Sequence, residues 1–310
     1  MYMPIVKRNA MINIEKLNNT FGAEGKVIFS KRENDLIYLN VSNRYADAEI
    51  CMYGAQLISF VPRNSKDVLW MSPNSSFQVG QAIRGGIPVC FPWFGPHKSD
   101  PQKPQHGFGR LMYWEVSETA VKATGETLIR LQLCSSDETK AYWPYDFCAR
   151  LTVIVGNTLE VSLKVTNQSA EPFEYTCALH SYYNVSSIEY ITITGLQGAK
   201  YHSQLEPGAF IQESPEIEIL KAETRHYYNT ESDCLIDDRM FKRKIHISKT
   251  GSKITTVWNP GKETCSTIND MPDDAYLHFV CVEAVNAFDD VIKLAPNESH
   301  TTSAMIGLEE

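Results

Sequence analysis

Residues 150–166, Arg-Leu-Thr-Val-Ile-Val-Gly-Asn-Thr-Leu-Glu-Val-Ser-Leu-Lys-Val-Thr, carry the clearest structural pattern in the chain. Apolar and polar side chains alternate on both sides of Gly156-Asn157, most regularly over 159–166. A period of two places the apolar side chains of a β-strand on one face, so each run predicts a strand with one buried face. The Gly-Asn pair between the runs predicts a tight turn. The stretch is therefore a predicted β-hairpin.

The same period recurs along most of the chain, whereas helical periodicity is weak. Residues 212–224 and the extreme N-terminus show the least regular pattern. Many short strands separated by turn residues predict an all-β sandwich or barrel. Because no linker rich in Pro, Ser or Gly divides the chain, we expect one domain over 1–310 with its core at about 26–303. The other predicted strands are 36–41, 55–61, 129–133, 191–194, 245–247, 254–258 and 277–282.

Composition narrows the class of protein. The 310 residues are 43% hydrophobic and 21% charged, which is typical of a globular protein and excludes disorder and low complexity. The formal net charge of -8 disfavours nucleic-acid and membrane partners unless positive charge is concentrated locally. A monomer is the expected form, although the sequence does not determine the oligomeric state.

The compartment is inferred from features that the sequence lacks. The first eight residues contain no apolar leader segment, and no run of about 18 apolar residues occurs anywhere. The eight cysteines form no Cys-x-x-Cys pair, and Cys90, Cys148, Cys177 and Cys281 lie in apolar or strand-like runs. Free buried thiols in a reducing compartment are the simplest interpretation. We therefore expect a cytoplasmic protein.

Residues 80–110 break the alternating pattern. This segment is rich in Gly, Pro and aromatic residues, which predicts a loop that is packed against the protein. It contains four basic residues and one acidic residue, so it is locally positive in an acidic chain. Gly85-Gly86 allows the backbone N–H groups to approach a ligand closely, and Arg84 offers donors suited to phosphate or vicinal hydroxyls. An ordinary surface loop with scattered basic residues is the alternative.

This loop also carries a family resemblance. Residues 83–95, Ile-Arg-Gly-Gly-Ile-Pro-Val-Cys-Phe-Pro-Trp-Phe-Gly, and 105–110, Gln-His-Gly-Phe-Gly-Arg, closely resemble the glucose-6-phosphate 1-epimerases. These are the hexose-6-phosphate mutarotases of the aldose 1-epimerase superfamily. The resemblance implies a large antiparallel β-sandwich of the galactose mutarotase-like (supersandwich) type and an isomerase that needs no cofactor. Further matching blocks are 54–59, 178–183, 257–260, 270–272, 280–284 and 294–296.

The chemistry that this family performs needs one general acid and one general base. Interconversion of α and β anomers requires a base to take the proton of the anomeric hydroxyl while an acid protonates the ring oxygen. His180 lies in a strand-like run and carries an imidazole, a group that ordinarily titrates near neutral pH, and Glu283 is a carboxylate inside an apolar strand. Taken alone, they could equally be a core histidine and half of a buried ion pair. The resemblance implies that His180 is the acid and Glu283 the base, with no metal required.

The resemblance also implies which residues bind the substrate. Arg84, Gln105, His106 and Arg110 match substrate-binding positions, and the arginines suit a phosphorylated hexose, glucose 6-phosphate foremost. One position departs from the family pattern, because Arg225 aligns with an aspartate that usually binds substrate. This departure leaves the identity of the sugar, and the requirement for a phosphate, open.

Other functions remain possible at this stage. A non-catalytic carbohydrate-binding protein would use the same fold, but it would not require an acid/base pair. A mutarotase of a different or unphosphorylated sugar fits the pair equally well. A glycoside hydrolase or lyase needs two carboxylates, whereas only Glu283 stands out. The eight histidines show no tight ligand spacing, so we expect no metal site.

Overall fold

The computed structural model describes residues 13–32 and 34–309. The first eight residues, which we interpreted as lacking a leader, lie outside this range. The strands, in chain order, are Val27–Lys31 (β1), Ile37–Ser42 (β2), Ala46–Cys51 (β3), Gln56–Pro62 (β4), Val89–Cys90 (β5), Glu115–Val121 (β6), Thr127–Cys134 (β7), Phe147–Val155 (β8), Leu159–Asn167 (β9), Phe173–Tyr175 (β10), Cys177–Leu179 (β11), Tyr182–Asn184 (β12), Ile191–Thr194 (β13), Lys200–Ser203 (β14), Ala209–Ile211 (β15), Glu223–Tyr228 (β16), Cys234–Asp238 (β17), Arg243–Thr250 (β18), Ile254–Asn259 (β19), Phe279–Asn286 (β20), Ile292–Leu294 (β21) and Ser299–Glu309 (β22).

The predicted hairpin forms and lies inside a large sheet. Strands β8 and β9 pair antiparallel over their whole length, and the turn after Val155 connects them. Leu159, Val161, Leu163 and Val165 are at most 1% exposed, so the alternating pattern does describe one buried face. The hairpin belongs to an eight-stranded sheet with the order β13-β17-β18-β22-β9-β8-β7-β6.

A second eight-stranded sheet packs against the first. Its order is β15-β14-β16-β19-β20-β11-β5, and β12 also pairs with β20. Strands β1–β4 form a third antiparallel sheet, and β10 pairs with β21. Side chains from both large sheets share one apolar core, to which β20 contributes Val280, Val282 and Ala284. The architecture confirms the predicted all-β antiparallel sandwich.

Helices are short and few among the described residues. The first α-helix, Ile14–Phe21 (α1), has Asn13 as its N-cap, whose side chain accepts a hydrogen bond from the Lys16 N–H. It packs Ile14, Leu17 and Phe21 against the core, a stripe too short for sequence periodicity to reveal. The other helices are Asp137–Lys140 (α2), Gly261–Cys265 (α3) and the 3-10 turns Gly109–Leu111, Ile188–Tyr190, Ala275–Leu277 and Phe288–Asp290. No helix of the described ranges is long and apolar enough to cross a membrane.

The cysteine prediction is wrong for one pair. Cys148 was expected to be a free buried thiol, but the structure joins it to Cys134 in a disulfide. The two residues are register partners on β7 and β8, which brings their Cα atoms to 4.0 Å and their side chains to the same face of the sheet. The remaining cysteines are buried and free, as expected.

Candidate active site

A cavity of about 320 Å³ opens on the second large sheet. This volume lies within the range of sites that bind small molecules. Five of the six residues predicted to act on the substrate line it, namely Arg84, Gln105, His106, His180 and Glu283. The segment 80–110 therefore supplies one wall, and the strands of the sheet supply the floor.

Strand pairing brings the predicted acid and base together. Strands β11 and β20 are antiparallel, with Leu179 opposite Ala284. His180 directly follows β11, so it lies beside Glu283 although the two residues are far apart in the chain. Alternation along β20 sends Val282 and Ala284 into the core and Glu283 to the opposite face, which is the floor of the cavity.

His180 and Glu283 form a close, buried pair. Nδ1 of His180 lies 3.5 Å from Oε1 of Glu283. Nδ1 of His180 and Oε2 of Glu283 have no hydrogen-bond partner among the described residues. Buried polar atoms are nearly always paired, so two unpartnered atoms in one buried pair mark it as a candidate functional site.

Burial controls the protonation of this pair. It raises the pKa of the Glu283 carboxyl well above its ordinary value. Burial also lowers the pKa of His180 well below its ordinary value, and the neighbouring His106, Arg110 and Arg84 act in the same direction. Both shifts favour the uncharged forms, which are a neutral imidazole and a protonated carboxyl.

His106 is positioned by a strained backbone. Its φ of 63° lies in the left-handed region, which is uncommon for a residue other than glycine and is often found at ligand sites. Gly95 N–H donates to Nδ1 of His106 at 3.2 Å. Burial, together with Arg110 and Arg84, lowers the pKa of His106 to about 3. The ring is therefore neutral, and the donation from Gly95 places its proton on Nε2, which lies 3.3 Å from Nε2 of Gln105.

Gly107 makes this backbone path possible. Its φ is +75°, and a Cβ atom there would lie 2.1 Å from the carbonyl oxygen of Phe91. A side chain at this position would push the loop away from Phe91 and displace His106. The glycine in the Gln-His-Gly-Phe-Gly-Arg block is thus a geometric requirement of the site.

Arg84 lies at the cavity wall and already has an acidic neighbour. Its Nε donates to both carboxylate oxygens of Asp270, at 3.1 and 3.2 Å. Its Nη1 donates to the hydroxyl of Tyr182 at 3.3 Å. Tyr182 in turn stacks on the His180 ring, with centroids 4.9 Å apart and planes 11° apart. Arg84 is therefore linked to His180 through Tyr182, and Asp270 fixes its orientation.

Arg110 does not line the cavity. Its Nη2 donates to the backbone carbonyl of Gln105 at 2.8 Å, and its buried Nε has no hydrogen-bond partner among the described residues. This arginine supports the segment that presents Gln105 and His106 from behind. Its charge still acts on the site, since it contributes to lowering the pKa of both His106 and His180.

Sequence reasoning missed a polar wall on strands β16 and β19. Thr224 and His226 of β16 and Thr256 of β19 line the cavity, as does Gln204. Nδ1 of His226 lies 2.8 Å from Oγ1 of Thr256, and Nε2 lies 3.0 Å from Nε2 of Gln204. Burial lowers the pKa of His226 to about 4, so this wall is neutral. The alternation along β16 was the available signal, because it places Thr224 and His226 on one face.

The same alternation corrects the expectation for Arg225. This residue points to the opposite face of the sheet, where its Nη2 donates to Glu223 at 2.8 Å and its guanidinium lies over the ring of Tyr201. It does not line the cavity, so the expectation of a cation in place of a substrate-binding carboxylate is wrong. The residue of this strand that meets the cavity beside His226 is Thr224, an uncharged hydroxyl.

A larger depression of about 710 Å³ lies beside Ala222 and Pro260. It contains no histidine, and the carboxylates that line it, those of Glu189, Glu206 and Glu263, are exposed. The described residues that line the depression therefore lack a buried histidine–carboxylate pair like that of the smaller cavity. The smaller cavity is therefore the candidate active site.

The chain matches a known protein family and known relatives. The family model described as aldose 1-epimerase matches residues 38–306. An Escherichia coli protein named provisionally as a glucose-6-phosphate 1-epimerase is 35% identical over 262 residues, covering 84% of this chain and 87% of that protein. A protein of Cenchrus ciliaris with the same provisional name is 31% identical and covers 81% and 78%.

Solved structures share the fold. A Salmonella typhimurium protein described provisionally as a mutarotase superposes with a TM-score of 0.86 at 30% identity, over 92% of this chain and 94% of that chain. A galactose mutarotase-like protein from Clostridium acetobutylicum superposes with a TM-score of 0.73 at 14% identity, over 92% and 98%. The second likeness concerns the fold alone.

Proposed function

The chain belongs to the aldose 1-epimerase family and is an isomerase of sugar anomers, and on this premise we propose that its substrate is a hexose 6-phosphate, glucose 6-phosphate foremost. The observation that carries the catalytic part is the buried, unpartnered His180–Glu283 pair at the cavity floor. The phosphate is supported by Arg84 at the cavity wall and by the provisional names of the relatives.

We propose that the pair opens and recloses the sugar ring. The base removes the proton of the anomeric hydroxyl while the acid protonates the ring oxygen, and the bond between C1 and that oxygen breaks. The aldehyde then turns about the C1–C2 bond, and the ring closes on the other face with the roles reversed. Both reacting oxygens are attached to C1, so an acid and a base that lie side by side can reach both.

One proton shared by the pair is sufficient for this cycle. In the assignment that the family resemblance implies, a Glu283 carboxylate accepts the proton of the anomeric hydroxyl and a His180 imidazolium donates to the ring oxygen. The neutral pair left after that step is the arrangement that burial favours. Polar groups of the bound sugar must therefore stabilise the charged arrangement, and closure of the ring restores it.

The substrate specificity rests on Arg84 and the neutral wall. Arg84 keeps part of its guanidinium available, since its side chain is 26% exposed while Asp270 and Tyr182 fix its orientation. A guanidinium forms strong, directed hydrogen bonds with a phosphate. Across the cavity, Thr224, His226 and Gln204 offer uncharged groups that suit sugar hydroxyls.

The decisive experiment measures anomer exchange by NMR for glucose 6-phosphate, glucose and galactose with the purified protein. We expect acceleration for glucose 6-phosphate well above that for the free sugars. Faster anomer exchange of a free sugar, without faster exchange of glucose 6-phosphate, would refute the phosphorylated substrate but support the reaction itself. Tight binding of sugars without any exchange would instead indicate a carbohydrate-binding protein.

Replacing Arg84 should separate phosphorylated from free sugars. A hydrogen bond to a charged group contributes about 1.5–3 kcal/mol, so we expect Arg84→Ala to raise KM for glucose 6-phosphate by ~10-fold or more. The KM for free glucose should change by no more than ~3-fold, because a hydrogen bond from the guanidinium to an uncharged hydroxyl is weaker than one to a charged phosphate. Steady-state exchange kinetics with both sugars measure this ratio.

Asp270→Asn is the matched control for Arg84→Ala. It removes the counter-charge and leaves the arginine, so phosphate binding should strengthen and KM for glucose 6-phosphate should fall. If Arg84→Ala raised KM equally for phosphorylated and free sugars, Arg84 would not be the residue that recognises the phosphate.

The pH profile follows from the two shifted groups. The reaction needs one proton on the His180–Glu283 pair. A second proton binds to His180 only when the pH falls below the lowered pKa of His180. The pair loses its one proton only when the pH rises above the raised pKa of Glu283. We expect kcat/KM to stay level as the pH falls through the ordinary histidine value of about 6.5, and to decline on the alkaline side. An unphosphorylated sugar is the better probe, because a phosphate itself titrates near ~6. A decline centred at the ordinary histidine pKa would contradict the buried, neutral imidazole.

A further inference from the structure

A buried thiol lies beside the acid/base pair and has no part in the proposed reaction. Cys281 stands two residues before Glu283 on β20, so both side chains emerge on the same face of the strand. The Cys281 side chain is fully buried, within an apolar cluster that includes Tyr182 and Phe279. Within the described ranges, His180, Cys281 and Glu283 form the one group of three potential metal ligands whose donor atoms lie close together.

The spacing of these donors suits a zinc ion. The three donor atoms lie within 4.8 Å of one another, and Nδ1 of His180 lies 3.5 Å from Oε1 of Glu283. Tetrahedral zinc with ordinary bond lengths separates a nitrogen and an oxygen ligand by about 3.4 Å. The histidine and glutamate are thus already at ligand spacing, and only the sulfur needs to approach.

Two further observations favour a metal over a purely structural cluster. Nδ1 of His180 and Oε2 of Glu283 are buried without hydrogen-bond partners among the described residues. His180 and Glu283 also line the cavity, so the three-donor group lies directly beneath its floor. Three protein ligands and one open position are typical of accessible zinc sites, and a thiolate favours zinc over magnesium or calcium.

We propose that His180, Cys281 and Glu283 form an inhibitory zinc site at the floor of the sugar cavity. The imidazole coordinates through its lone pair, and the thiol and the carboxyl coordinate as anions after releasing their protons to solvent. A bound zinc ion occupies the acid and the base at once, so it competes with the sugar. The inhibition rests on the proposed function, whereas zinc binding itself does not.

Zinc titration of anomer exchange tests this site. We expect zinc chloride to inhibit the purified protein competitively with the sugar, EDTA to restore the rate, and magnesium chloride to have no effect. Cys281→Ala and Cys281→Ser should each weaken inhibition by ~10-fold or more, the scale on which metal affinity responds to changes around a ligand set. Each variant is compared with its own rate in EDTA, and circular dichroism shows whether it is folded.

Cys265→Ala provides the matched control. Cys265 is a free, fully buried thiol of the same apolar cluster, but it is not part of the three-donor group. Its removal should leave the zinc sensitivity at the wild-type value. Equal zinc sensitivity in the wild-type protein and both Cys281 variants would overturn the proposal, as would a wild-type enzyme that zinc does not inhibit.

Direct binding separates this proposal from the proposed function. Calorimetry should show one zinc ion bound per wild-type chain and none at this site in Cys281→Ala. Cobalt(II) added in place of zinc should give a thiolate-to-metal absorption band that is lost in the same variant. A protein that accelerates no anomer exchange but shows both results would refute the proposed function and leave the zinc site standing. Without the stoichiometric binding and the band, the zinc site is refuted whatever the activity.

Discussion

Glu283→Gln should lower kcat for anomer exchange by ~100-fold or more, the usual scale for the loss of a general acid or base. The amide is nearly the same size as the carboxyl but neither accepts nor releases a proton at neutral pH. Substrate binding should persist, since the cavity keeps its shape and its polar wall. NMR exchange rates at saturating sugar, together with the KM, measure the two effects separately.

Glu223→Gln is the matched control, because it makes the same chemical change at another buried carboxylate. Glu223 is 4% exposed and pairs with Arg225 on the face of the sheet away from the cavity. Its replacement should lower the free energy of unfolding but leave kcat within ~3-fold of wild type. A change that lies away from the active site rarely alters transition-state stabilisation. A similar loss of kcat in both variants would mean that Glu283 supports turnover by stabilising the fold and not by transferring a proton. Near-normal turnover in Glu283→Gln would refute its role as the base.

Much of the fold was predictable because the hydrophobic pattern is local. Alternation over 159–166 predicted β9, and its four apolar residues are indeed the buried face. The same logic predicted β19, which spans Ile254–Asn259 against an expectation of 254–258. Helix α1 was not predicted, because two turns contain too few residues to establish a helical period.

The site depends on pairings that a local pattern does not contain. Antiparallel pairing of β11 with β20 places His180 beside Glu283, and nothing in the alternation of either strand specifies the other as its neighbour. The resemblance to a known family identified His180 and Glu283 as candidates, and the pairing of β11 with β20 showed that they lie close together. Cys134 and Cys148 show the same limitation, because their disulfide follows from the register of β7 and β8.

Arg225 shows that alignment without a face assignment misleads. The resemblance of the neighbouring sequence placed Arg225 where the family carries a substrate-binding aspartate. Strand geometry places Arg225 and Thr224 on opposite faces, and only Thr224 meets the cavity. Thr224 presents an uncharged hydroxyl to the cavity, so this part of the wall neither repels nor attracts a phosphate by charge.

His180→Asn should also lower kcat by ~100-fold or more, because asparagine cannot donate a proton to the ring oxygen or take it back when the ring closes. His226→Asn is the matched control, since His226 is a buried histidine of the same cavity that we do not place in proton transfer. Loss of its hydrogen bonds should raise KM while kcat stays within ~3-fold, the pattern expected for a group that binds the ground state and the transition state equally.

The double variant His180→Asn/Glu283→Gln tests whether the two residues act as one unit. If a single proton passes between them and the sugar, losing either partner already stops the transfer. The double variant should then be no more than ~10-fold slower than the slower single variant, because effects within a catalytic unit are far from additive. Losses that multiply would mean two independent contributions. In that case His180 and Glu283 each exchange a proton with the sugar on their own, although Nδ1 and Oε1 lie 3.5 Å apart.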